Sequence, residues 1–135
     1  MVFVRLTASS LLLLALGSVV TGCIAPQDDL VRTGKINVQR EQGGLFDILV
    51  PSVWRDGKTM VVSGTLVRRT QAMGPIPGHL DITVLSPEGR MLNESRAHWF
   101  PVSVPLHGPR DASYIVRFHW LPPDGSVVRI VHRIN

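Results

Sequence analysis

From Lys35 onward the apolar residues recur at every second position, a period that specifies strands and leaves no room for an amphipathic helix. Ile36 and Val38 alternate with Lys35, Asn37 and Gln39. Phe46, Ile48 and Val50 follow, with Asp47 on the other parity. Met60, Val62 and Leu66 oppose Thr59, Ser63 and Thr65. Leu80, Ile82 and Val84 make another inward set, and Tyr114, Val116, Phe118 and Trp120 a further one. Val128, Ile130 and Ile134 close the series, with His132 among them. After Cys23, apolar residues nowhere recur at three and four over a useful length. Short strands separated by turn signals predict an all-β chain, folded as an antiparallel β-sandwich of about seven strands.

The turns between these runs are chemically explicit. Gly43-Gly44 predicts a hairpin between the first two strands. Trp54 to Lys58 reads as a turn around Asp56-Gly57. In Ser86-Pro87-Glu88-Gly89, proline pre-sets φ and glycine takes the left-handed position, which is expected to put Leu92 opposite Val84. Arg69 to Gly78 is irregular, because Gly74-Pro75-Ile76-Pro77-Gly78 cannot form helix or central strand. Phe100, Val102 and Val104 share one parity, while Pro101 and Pro105 share the other. Both missing donors then lie on one side, so residues 98–105 are expected to form an edge strand. Pro122-Pro123-Asp124-Gly125 turns the chain into the last strand. Tyr114, near the start of a late strand, resembles the tyrosine corner of immunoglobulin-like domains, whose hydroxyl bonds backbone upstream. The whole pattern resembles immunoglobulin-like and transthyretin-like sandwiches, a likeness that implies no activity.

The N-terminal residues carry a different signal. Arg5 supplies a positive charge, Leu11 to Val20 an uncharged apolar run, and Thr21 and Gly22 the small residues of a peptidase site. Spanning a bilayer takes about 20 apolar residues, more than this run offers, so a cleaved signal helix is expected. Val20-Thr21-Gly22-Cys23 resembles the lipobox of bacterial lipoproteins. The resemblance implies cleavage before Cys23 and acylation of that residue, with palmitate among its acyl chains. Ile24 stands where Asp would favour inner-membrane retention, so the periplasmic face of the outer membrane is implied for a Gram-negative host. The expected organisation is a signal peptide at 1–22, a lipidated tether at 23–34 and one domain at 35–135.

Removing residues 1–22 leaves 113 of 135, enough for one core and too few for two. Of 14 Lys and Arg, Arg5 leaves with the signal, so 13 face 10 Asp and Glu, a formal charge of +3. These charges are scattered apart from Arg68-Arg69, which gives no basic run for nucleic acid. Cys23 is the only cysteine, so the domain stands on burial without a disulfide.

No catalytic constellation is legible. There is no Gly-x-Ser-x-Gly elbow, and Gly57-Lys58-Thr59 lacks the first glycine of a phosphate loop. A non-catalytic binding or accessory module with a protein partner is the expected function, and no cofactor is implied. The expected surface joins the Arg69–Gly78 and Leu121–Ser126 loops at one end, offering Arg68, Arg69, Met73, Ile76, Trp120 and Pro122. Trp and Arg are the types enriched at interface hot spots. Trp54 and Trp99 are further aromatics expected at exposed positions. The alternative is a copper- or zinc-binding lipoprotein using His79, His98, His107, His119 and His132 with Met60, Met73 and Met91. Its best pair, His119 and His132, is expected on adjacent strands but on opposite faces, which does not converge on a metal.

Overall fold

The computed structural model describes residues 28–41, 45–69, 74–104 and 110–134. Cys23, Met73, Pro105, His107 and the Gly43-Gly44 turn lie outside these residues.

The described chain is all-β, with no helix. Its strands are β1 (Asp28–Asp29), β2 (Ile36–Arg40), β3 (Phe46–Ile48), β4 (Ser52–Asp56), β5 (Thr59–Arg68), β6 (Gly74–Pro75), β7 (His79–Leu85), β8 (Met91–Ala97), β9 (Ser103–Val104), β10 (Asp111–Phe118) and β11 (Ser126–Arg133). One sheet runs β1-β4-β5-β10, with β3 also on β5. A second runs β2-β11-β7-β8, and β6 with β9 makes a small third. All pairs are antiparallel except β2 with β11, which is parallel. The expectation of a purely antiparallel arrangement is corrected there.

Inward parity follows the sequence alternation. Met60, Val62 and Leu66 of β5 and Tyr114, Val116 and Phe118 of β10 are buried. They share one core cluster with Leu80, Ile82, Val84, Val128 and Ile130 of the second sheet. Burying such a side chain contributes roughly 1.5–3 kcal/mol, which lets a chain without disulfides hold two sheets together. Trp99, Phe46 and His132 extend the cluster as three mutually edge-on rings, with centroids 5.0 to 5.5 Å apart.

Several expectations are corrected by long-range pairing. β2 and β3 belong to different sheets, so the double glycine does not close a hairpin between them. The alternation expected to reach Val50 stops at Ile48. Leu49 to Pro51 carries the chain from the Leu66–Arg68 part of β5 to its Thr59–Ser63 part, leaving Val50 exposed. Val84 faces Asn93, not Leu92, because the β7–β8 register shifts between Val84 and Leu85. Residues 98–105 are not one edge strand. Phe100 bridges Ser113, and Ser103–Val104 pairs with β6. Trp99 of this segment is buried, whereas Phe100 and Val102 are exposed, the reverse of the expected parity. Part of the expected tether is folded too. Asp28–Asp29 pairs with β4, and Leu30 lies in the core.

Candidate functional site

Among the described residues, the two segments of the expected loop-end surface leave opposite ends of β5. The Leu121–Ser126 loop follows Phe118, which pairs with Met60 at the start of β5. The Arg69–Gly78 segment follows Arg68 at the other end of that strand and leads into His79, paired with Arg133. Eight residue steps along β5, about 26 Å, separate the two ends. The individual residues are also committed elsewhere. Arg68, Ile76 and Pro122 are buried, and Trp120 is half-buried against the core. Arg69 is exposed, with its Nε 2.6 Å from Asp47 Oδ1. Trp54 is half-buried, and Trp99, expected outside, is inside.

The described histidines, His79, His98, His119 and His132, are not gathered into a metal set. His119 follows β10 and His132 lies on β11, and these strands belong to different sheets, which corrects the expected adjacency. His132 donates from Nε2 to Pro77 O at 3.1 Å and packs between Phe46 and Trp99. His79 is buried, with Nε2 2.9 Å from Asp81 Oδ1. Among the described residues, no three His, Cys, Asp or Glu side chains converge on a metal position. Met60 is fully buried in the core.

A different surface is built where β5 changes neighbours. Ser52, Ser63 and Ile115 stand in one row across β4, β5 and β10. Thr65, Ser113 and Phe100 stand in the next. These positions alternate with buried Val53, Val62, Leu66, Tyr114 and Val116, so their side chains point outward. Rows on a sheet face repeat at about 4.8 Å between strands and about 6.8 Å along them. Leu49 and Val50 wall this floor on one side. Phe100, 79 % exposed, and His98 wall it on the other. The result is an open trough of about 640 Å³, within the range of roughly 300–1,000 Å³ for small-ligand sites. Its floor carries four hydroxyls, and no hydrogen bond to them comes from another described residue. Among the described residues, no Asp, Glu, Lys or Arg lines it.

The outward parity of Ser63, Thr65 and Ser113 is visible in the sequence. Their convergence with Ser52, Leu49 and Phe100 is not, because it depends on two chain crossings.

Tyr114 lies beneath this floor. It is the fourth residue of β10 and pairs with Gly64, whose missing Cβ leaves room for the phenol. A Cβ there would sit 2.5 Å from the Tyr114 Oη. The hydroxyl is buried with no hydrogen-bond partner among the described residues, so the expected tyrosine-corner bond is absent. Burial pushes the phenol pKa well up, and the Arg40 guanidinium opposes this in part. A buried hydroxyl without a partner costs about 1–3 kcal/mol, so Tyr114→Phe is expected to raise stability by about 1 kcal/mol. The measurement is the urea midpoint. Because the folded pKa is raised, the folded state resists phenolate formation. Stability is therefore present below the ordinary phenol pKa of about 10 and lost as pH rises above it. Tyr114 is the only tyrosine, so absorbance at alkaline pH reads it alone. Phenolate should form together with unfolding, and Tyr114→Phe should resist alkali better than the parent.

No protein-family model, curated protein or solved structure matches this chain.

Proposed function

We propose that this protein is a lipid-anchored lipoprotein of the bacterial envelope that serves as a non-catalytic binding or accessory module. The observation that carries the anchor is Val20-Thr21-Gly22-Cys23 closing an uncharged apolar run. Cys23 is acylated, and two or three acyl chains at about 0.8 kcal/mol per buried methylene hold the chain at the bilayer. With Ile24 next, the address is the periplasmic face of the outer membrane in a Gram-negative host. Two sheets sharing one core support a β-sandwich of immunoglobulin-like or transthyretin-like kind.

The binding surface is the trough. Five residue steps separate Cys23 from Asp28, a reach of at most about 18 Å. Asp28 pairs with Arg55 beside the Gly57–Lys58 turn, so that end of the fold stays near the lipid. The trough lies further along β5 and presents its hydroxyls sideways, where an envelope partner has access.

Growing cells with radioactive palmitate tests the anchor. The parent protein should be labelled and sediment with membranes. Cys23→Ser should lose the label and leave the membrane fraction. A labelled Cys23→Ser protein, or an unlabelled parent, overturns the reading.

A further inference from the structure

We propose that the trough is a carbohydrate site that takes a short stretch of an uncharged glycan. This rests on the reading of the trough as the binding surface, and not on acylation of Cys23.

The lining chemistry selects the ligand class. The Ser63, Thr65 and Ser113 positions of the floor lie inside the sheet. All three are within the β5–β10 ladder, and Ser113 also exchanges backbone bonds with Phe100 at 2.8 and 2.9 Å. Leu49 N–H donates to Thr65 O at 3.0 Å. An extended peptide adds to a sheet through an open ladder edge; Phe100 covers that edge of β10 at Ser113, which leaves only Ile115 to Arg117, beside the hydroxyl rows and not over them. What remains is side-chain hydroxyls, each able to donate and accept. Sugar hydroxyls have the same dual capacity and project to the sides of a ring, so they pair with a grid of Ser and Thr.

Electrostatics narrows the class further. Among the described residues no formal charge lines the trough. An anionic ligand would find no cationic side chain in this described lining to replace the water it gives up. A neutral one loses nothing on that account. The apolar walls complete the match. Phe100 presents an exposed ring and Ile115 an exposed side chain, beside the hydroxyl rows. A sugar ring has an apolar C–H face as well as a polar rim, and an exposed aromatic is the surface on which that face packs.

The test uses the full chain purified in a detergent without a sugar headgroup. The probes are maltotetraose, cellotetraose and tetra-N-acetylchitotetraose, with tetragalacturonate as the charged counterpart and a blocked uncharged pentapeptide, acetyl-Thr-Val-Ser-Leu-Thr-amide. Calorimetry and ligand-observed NMR read binding. At least one neutral tetrasaccharide should bind saturably. Phe100→Ala and Ile115→Lys should each weaken it by about tenfold or more, while Met91→Ala, exposed on β8, leaves it unchanged. The proposal is overturned if no neutral tetrasaccharide binds, if binding survives both trough variants, if tetragalacturonate binds as tightly, or if only the pentapeptide binds. Palmitate labelling is unaffected by any of these results, so the anchor and the glycan site fail separately.

Discussion

Gly78→Ala is expected to cost about 4 kcal/mol of folding stability. Gly78 sits at φ +106°, where an L side chain is strained, and an added Cβ would overlap the Arg133 carbonyl. That oxygen belongs to β11 at the register position facing His79, so moving it disturbs the β7–β11 ladder. Backbone strain contributes about 1–3 kcal/mol and the overlap a similar amount. A domain of this size is stable by only about 5–15 kcal/mol in total, so the variant stands close to unfolding. Urea titration followed by tryptophan fluorescence measures this. The midpoint should fall with little change in slope. A loss under about 1 kcal/mol would mean that the two strands do not approach as closely at Gly78 as the structure has them.

Trp99→Ala is the second large effect, about 3–5 kcal/mol. Trp99 is buried, with its ring 5.0 Å from Phe46 and 5.5 Å from His132. Phe46 comes from the first sheet and His132 from the second, so the indole packs where the two sheets meet. Truncation leaves a cavity bounded by β3 and β11, neither of which can close over it without leaving its own ladder. Trp99→Phe retains much of the contact and should cost less than half as much. Thermal unfolding should separate the two, since each kcal/mol shifts the midpoint by roughly 4–8 °C in a domain of this size. Trp99 also precedes Phe100, so the alanine variant should weaken trough binding, whereas a variant deep in the second sheet such as Val128→Ala should cost stability alone.

Much of the fold is legible because burial in a strand has a period of two. Met60, Val62 and Leu66, then Leu80, Ile82 and Val84, then Tyr114, Val116 and Phe118, are inward both by alternation and in the structure. The Asp56-Gly57 turn and the Ser86–Gly89 turn each join strands that do pair. Other local readings fail for a common reason. Val50, Trp99 and Phe100 sit where the chain leaves one pairing for another, and Leu92 sits at the register shift between β7 and β8; alternation loses its phase at such places. Trp99 is inward because residues 98–100 cross from β8 in one sheet to the edge of β10 in the other.

The candidate site divides in the same way. That Ser63, Thr65 and Ser113 point outward follows from their parity alone. That Arg69 and Leu121 leave opposite ends of the β5–β10 pair depends on strand order, which a single strand's pattern does not encode.

Alternation and turn chemistry, both local, determined that this chain is all-β and which parity of each central strand faces the core. Tertiary structure decided which strands are neighbours, that β2 and β11 run parallel, and that hydroxyls from β4, β5 and β10 meet between Leu49 and Phe100. The physical reason is that pairing energy depends on residues far apart in sequence, and many strand orders bury the same inward faces equally well.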